Sequence, residues 1–399
     1  MTETPTIPVH LRRIGFDPID ELGRLRENEG VTRVVTSFGI PAYLVTRYED
    51  VREVLSDPVR FSNAHARHPL PNGAQPSEEE ITQRRAGQLL AFDPPEHTRL
   101  RRMLTPEFTV RRIRRLVPRI SAIVDSHLDD LQRAGAPADL VSGFALPIPS
   151  LVICELLGVP YADRAEFQQR TRRQLDISVP IKERMALHRE SREFMRVQVA
   201  RAQAAPGEDM LGMLVREHGE ELTTDELIGI AGLLLVAGHE TTANMLGLGT
   251  LALLRHPEQL AMVRDDPDLV EPAVEELLRW LSIVPSGIPR TTTTSVTLAG
   301  HVIPAGELVV CSLPAANRDP ALVAAPERLD IARGTPGHVA FGHGVHHCLG
   351  APLARMEMTI AFPALLRRFP GLSLAVPFEE IGFRAHHVVF GVHSLPVTW

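Results

Sequence analysis

The decapeptide Phe341-Gly342-His343-Gly344-Val345-His346-His347-Cys348-Leu349-Gly350 is the sharpest chemical feature of this chain. Glycines at 342, 344 and 350 permit positive φ and close backbone approach. Cys348 stands where an apolar helical pattern begins, predicted to run to about Phe369. Free amide N–H groups and the helix dipole at such a place favour a thiolate over a thiol. A glycine-lined loop presenting a thiolate beneath a flat surface suits axial ligation of haem iron. Two other readings stay open on spacing alone. One is a buried structural cysteine, the usual fate of a lone Cys. The other is a zinc or copper site drawing on His338, His343, His346 and His347. Zinc wants paired spacings such as C-x-x-C or H-x-x-x-H. His343 and His347 have the second, but the intervening glycines argue against a helix there.

A second concentration of chemistry lies in Leu227–Leu254, the most apolar window of the sequence. Glu240 sits near its middle, next to Thr241. A buried carboxylate is costly unless it is paired or functional. A helical threonine can bond back to the carbonyl four residues earlier, here Ala237, and bend the helix. Ala237 and Gly238 leave room over that carbonyl. Leu233, Val236 and Ala237 share the helical face of Thr241 and are expected to line a cavity. His97 and Arg101, four apart, share one face of another helix.

These residues need a scaffold, and the pattern supplies a mainly α one. Thr223-Thr224-Asp225-Glu226 reads as a capping box opening a helix over 223–255. At 1.5 Å per residue such a helix spans about 48 Å, so its middle must be buried. Residues 31–60 read as two short strands and a helix. Residues 62–90 look like one long polar loop, and Pro69, Pro71, Gly73 and Pro76 suit a lid. The stretch 96–205 is mostly helical, with breaks expected at Pro118, Pro137, Pro147–Pro149, Pro160 and Pro180. A helix follows at Pro272–Leu281, and 288–313 alternates like short strands. The tail segments HHVVFGV and LPVTW look β. No composition break divides residues 1–399, so one domain is expected.

Composition narrows the function. Net charge is −7, which implies no global attraction to nucleic acid or anionic lipid. Lys182 is the only lysine. Cys154, Cys311 and Cys348 cannot form a disulfide framework and suit a reducing compartment. The first residues show no signal-peptide pattern, and Glu240 argues against a membrane span. A cytoplasmic protein without membrane or nucleic-acid partners is expected.

The decapeptide fits F-x-x-G-x-x-x-C-x-G and resembles the haem-binding loop of the cytochrome P-450 family. Four further motifs occur in the family's order. Ala237-Gly238-His239-Glu240-Thr241-Thr242 resembles the oxygen-activation motif of the central helix. Glu276-Leu277-Leu278-Arg279 resembles the E-x-x-R pair, with Pro326-Glu327-Arg328 as its later partner. His97-Thr98-Arg99-Leu100-Arg101 resembles the haem-contacting H-x-x-x-R, and Arg290 matches the arginine before the family's late strand. The resemblance covers essentially the whole chain. It implies a triangular, α-rich prism with a small β region, and is strongest to soluble actinomycete hydroxylases.

The resemblance also implies roles. Cys348 becomes the axial thiolate of haem b, electron-donating toward O–O cleavage. His97, Arg101, Arg290 and His346 hold the two propionates by charge-assisted hydrogen bonds. Thr241 serves oxygen activation and Glu240 relays protons. Glu276, Arg279 and Arg328 form a buried structural network. Leu233, Val236, Ala237, Val388 and Val389 line the substrate cavity, with 62–90, 174–182 and 284–288 as further walls. Their apolar character suits a lipophilic polyketide, macrolide, terpenoid or statin-like substrate. O2 is the co-substrate, with electrons from NAD(P)H through a ferredoxin reductase and a 2Fe-2S or 3Fe-4S ferredoxin. Residues 99–119 carry eight arginines against Glu107 alone, a basic face that could steer an acidic ferredoxin. A monomer is expected. The alternative function is a haem-thiolate protein that couples substrates oxidatively, or binds ligand, without inserting oxygen.

Overall fold

The computed structural model describes residues 7–37, 39–64, 77–161 and 164–399. Its axis is the long helix the capping box announces. Thr223 accepts from the Glu226 N–H and the Glu226 carboxylate returns to Thr223, opening an uninterrupted helix over Thr224–Arg255. Small and branched apolar side chains cover all its faces, so other helices pack around it. Earlier helices are α1 (Tyr48–Ser56), α2 (Glu78–Arg85), α3 (Glu96–Leu104), α4 (Val117–Ala134), α5 (Pro147–Leu157), α6 (Arg164–Leu175) and α7 (Ile181–Ala204). The axial helix is α8; α9 (Val270–Leu281) and α10 (Ala351–Arg368) follow. The main core joins α4, α5, α8, α9 and α10, from Phe16 to Val397. Gly249 lets α8 and α10 touch, since a Cβ there would meet Phe362 at 2.5 Å.

The β part is small. Strands β1 (Val31–Val35), β2 (Pro41–Val45), β3 (Phe61–Ser62), β4 (Arg290–Thr292) and β5 (Leu308–Cys311) form one sheet in the order β1–β2–β5–β4–β3. Only the β2–β5 pairing is parallel, with Tyr43 opposite Val309. A separate core of Val31, Val45, Val51, Phe61 and Leu313 sits between this sheet and α1.

Several sequence expectations need correction. Residues 62–90 are not one loop: Ser77 and Glu80 form a capping box that starts α2. The signal was in the sequence as S-x-x-E. The lid prolines 69, 71 and 76, with Gly73, lie outside the described residues. Pro118 and Pro147 do not break helices; they occupy first turns, where a missing N–H costs nothing. The helix expected from Cys348 starts at Ala351 with Gly350 as N-cap. HHVVFGV is not a strand but the end of a hairpin held by isolated bridges, whereas Pro396–Thr398 does pair in a small sheet.

Candidate active site

The Cys loop is shaped by two glycines. Gly342 and Gly344 have φ of 72° and 71°, the left-handed region. A Cβ on Gly344 would meet the Leu55 carbonyl at 2.5 Å, so the loop rests on the end of α1. Gly350 has an ordinary φ of −80°. The Cys348 N–H donates to the Phe341 carbonyl at 2.9 Å and closes the loop. The Cys348 thiol is accessible. The burial of its setting raises its pKa, against opposing pulls from the Gly350 and Ala351 amides and from Arg101 and Arg355. The amides pull toward the thiolate, the direction the sequence predicts, but burial outweighs them; a coordinated metal ion would tip the balance.

Four cation-forming groups converge beside this loop. The rings of His97 (α3) and His346 lie 4.2 Å apart, centroid to centroid. Both nitrogens of each ring are buried without a hydrogen-bond partner. Burial, then Arg290 and His97, push His346 down to about 3; burial, then Arg101, lowers His97. Arg290 is 3% exposed and spends one bond on the Ile288 carbonyl. The nearby Asp93 carboxylate is already engaged by Ser62, Asn63 and Ala64. Buried polar groups left without partners call for a ligand. Here they call for an anion, beside an accessible thiol. That combination fits haem: carboxylates for His97, Arg101, Arg290 and His346, and iron for Cys348.

On α8, Thr241 Oγ1 donates to the Ala237 carbonyl at 2.8 Å, as the spacing predicts. The helix does not break there. Val236 and Thr241 are half-buried and Ala237 is exposed, so this face is not consumed by packing. Leu233 packs against the main core. The opposite side of the same turn is sealed. Glu240 is 1% exposed and pairs with Arg384 at 2.5 Å. Asn244 Nδ2 donates to the Glu240 carbonyl at 2.7 Å and to its carboxylate at 3.3 Å. Burial raises the Glu240 pKa, but Arg384, His239 and Arg172 together outweigh it and hold the group lowered, Arg384 pulling hardest of the three.

Arg384 was not legible as the partner. A buried glutamate demands a cation, but nothing in spacing selects one 144 residues away. It arrives on the C-terminal hairpin, whose end is stitched to α6. Ile177 N–H donates to the His386 carbonyl at 2.7 Å and Val388 N–H to the Leu175 carbonyl at 3.0 Å. Phe390 N–H donates to the Ile283 carbonyl at 2.7 Å, bringing the 284–288 segment alongside. The ends of the 174–182 and 284–288 segments therefore meet the hairpin that carries Val388. Val388 is half-buried there, whereas Val389 is 6% exposed and turned into the main core.

The Glu276–Arg279 pair is fully buried, with bonds of 2.7 and 2.8 Å. Arg328 does not complete it. Its side chain is 69% exposed and bonds Asp330, while only its carbonyl faces Arg279. The further arginine is Arg333, 3.8 Å from Glu276. Much of the basic segment is already engaged by acids. Arg99 pairs with Glu96 and Glu226, Arg112 with Glu107, and Arg119 with Glu155. Arg101 is half-buried and close to Cys348. Exposed and without a salt bridge among the described residues are Arg102, Arg111, Arg114 and Arg115. The short helix Val110–Ile113 carrying Arg111 packs on α10. No helix among the described residues is long and apolar enough to cross a membrane.

A mainly helical fold with one long axial helix, an accessible cysteine in a glycine-shaped loop and an anion-seeking histidine pair beside it defines a haem-thiolate class of protein. Known proteins agree. The family described as Cytochrome P450 matches residues 181–377. Cytochrome P450 FAS1 of Rhodococcoides fascians is 52% identical over 100% of both chains. Pentalenic acid synthase of Streptomyces avermitilis is 45% identical, over 97% of this chain and 96% of that one. The crystal structure of CYP105P1 in complex with filipin I superposes with TM-score 0.91 at 43% identity, covering 100% of this chain and 99% of that chain. That of OxyC, implicated in an oxidative C–C coupling during vancomycin biosynthesis, does so at 0.85 and 40%, covering 97% and 95%. The chain belongs to the cytochrome P450 family of monooxygenases.

Proposed function

We propose that this chain, working as one domain, hydroxylates a lipophilic natural product. The reaction consumes O2, two electrons and two protons, and yields the alcohol and water. The observation that carries the reading is the juxtaposition of Cys348 with the unpartnered nitrogens of His97 and His346. Cys348 ligates the iron, and His97, His346, Arg101 and Arg290 bind the propionates. Bound haem would supply the activation of O2 and the insertion of one of its atoms into a C–H bond. The protein supplies the rest. Thr241 holds a hydroxyl proton at Oγ1 beside the Ala237 carbonyl, and Glu240 stands one residue away as an ionised carboxylate able to accept and pass on a proton. Val236, Ala237 and Val388 offer an apolar wall, with Leu233 behind them. Arg102, Arg111, Arg114 and Arg115 form the exposed charge to which an acidic ferredoxin docks, delivering electrons that originate in NAD(P)H.

Oxidative coupling is the second reading, and the likeness to OxyC favours it. The Glu240–Thr241 pair supports oxygen insertion instead. The test is a spectral titration of the holoprotein with polyketides, terpenoids and statin lactones, followed by turnover of the binders under 18O-labelled O2. A high-spin shift with a lipophile and one labelled oxygen in its product supports hydroxylation. A product lacking the label but gaining a C–C or C–O bond within the substrate supports coupling. If only small charged compounds perturb the Soret band, the lipophilic assignment is wrong.

A further inference from the structure

Glu275 lies on α9 beside the Glu276–Arg279 pair and serves a different part of the molecule. Its Oε1 accepts from Arg355 Nε at 2.6 Å, and its Oε2 from Arg355 Nη2 at 2.9 Å and from His338 Nε2 at 3.1 Å. His338 Nδ1 in turn accepts the Ala340 N–H at 3.2 Å, which leaves the ring proton on Nε2, facing Glu275. The Arg355 guanidinium lies 4.6 Å from the centroid of the Phe341 ring. The Phe341 carbonyl accepts the Cys348 N–H. His338, Ala340 and Phe341 lead into the Cys loop, and Arg355 is in the second turn of the helix that leads out of it. One carboxylate therefore grips both ends of the loop. The His338 side chain is 2% exposed and that of Glu275 24%, so the grip is partly shielded from water. The bonds from His338 and Arg355 hold the Glu275 carboxyl at about 2 against its burial, so it is charged at any working pH.

We propose that Glu275 is a positioning residue for Cys348, clamping the two ends of the Cys loop through His338 and Arg355 and so fixing where the sulfur stands. The clamp rests on the reading of Cys348 as the haem ligand. Partners behind a metal ligand set its orientation, and losing one typically weakens the site 10–100-fold.

The test uses the holoprotein and does not need a substrate. Glu275→Ala removes the clamp, Glu275→Gln keeps its shape without its charge, and Glu275→Asp restores the charge on a shorter stem. The reduced carbon monoxide complex is warmed gently, and loss of its thiolate-type Soret band is timed. Far-UV circular dichroism follows the fold under the same conditions. Glu275→Ala should lose the band about tenfold faster than the parent, ahead of any loss of helix, with Glu275→Gln close to it and Glu275→Asp between. His338→Phe should behave like Glu275→Ala. The clamp is refuted if Glu275→Ala keeps the band as long as the parent, or loses it only in step with the helix signal. Cys348→Ala separates the two claims. If that variant still shows the thiolate band, the ligand assignment fails; if it loses the band while the Glu275 variants hold it, the clamp alone fails.

Discussion

Replacing Arg384 with glutamine takes from Glu240, a carboxylate with almost no access to water, its one salt-bridge partner among the described residues. The Glu240 and Arg384 side chains are 2% and 3% exposed, so solvent does not dilute the loss. Stripping one partner from a buried pair costs about 3–5 kcal/mol, because the survivor keeps its desolvation penalty. The remaining Asn244 contact, at 3.3 Å, returns at most about 1 kcal/mol. The pH dependence carries the sign of the argument. In the parent, the Glu240 pKa is depressed, so its stabilisation is present above the unfolded value of about 4.3 and fades as pH falls through the folded one. In Arg384→Gln, burial is opposed only by the weaker pulls of His239 and Arg172, so the pKa should rise above the unfolded value. Its contribution is then intact below about 4.3 and lost as pH climbs. The penalty of the variant should therefore be largest near neutrality and shrink toward about pH 5. Denaturant unfolding at both pH values measures this. Arg384→Gln with Glu240→Gln should recover most of the loss, since no charge then remains buried. An equal penalty at both pH values, with a double variant no more stable than the single one, would refute the reasoning.

Thr241→Ala should retain haem and bind the same lipophiles while diverting much of its NAD(P)H consumption to hydrogen peroxide; unchanged coupling of electrons to product would remove Thr241 from oxygen chemistry. Arg279→Ala should cost at least about 3 kcal/mol and impair haem retention, whereas Arg328→Ala, at an exposed pair, should cost under about 1 kcal/mol in the same unfolding assay. Reduction by an acidic ferredoxin should slow as salt rises, because exposed charges are screened within about 8 Å at 0.15 M. Arg111→Glu with Arg114→Glu should slow it further and leave lipophile affinity alone; stopped-flow rates indifferent to both would make the patch ordinary surface. Gly391→Ala should destabilise the hairpin, since its Cβ would fall 1.7 Å from Asn244 Oδ1, and thermal melting reports it.

Local signals carried much of this architecture. Thr223 to Glu226 marks the start of α8, the glycines of the Cys loop mark its turns, and the four-residue step from Ala237 to Thr241 predicts a hydrogen bond that the fold contains. Each depends on neighbours within one helical turn or one loop. What escaped depends on partners far apart in the chain. Glu240 announces that a cation is needed, but Arg384 is chosen by where the C-terminal hairpin lands. Arg328 and Arg333 are equally eligible by type, and only the path of the chain through 328–335 selects Arg333. The arginine run of 99–119 read as eight free charges because the acids that engage Arg99 and Arg119 come from Glu96, Glu226 and Glu155, outside the run.

The stitching of the hairpin to the end of α6 bears on how this enzyme can be remodelled. Leu175–Ile177 and His386–Val388 share backbone hydrogen bonds, and the same hairpin carries Arg384 into Glu240. These segments form one structural unit even though some 210 residues separate them along the chain. Grafting α6 and α7 from a relative to change substrate range would leave the acceptor's hairpin facing foreign partners, and the mismatch would reach Glu240. A chimera that also transplants 383–392, with Gly391 and Asn244 kept together, should exchange this face while leaving the buried Glu240–Arg384 turn intact.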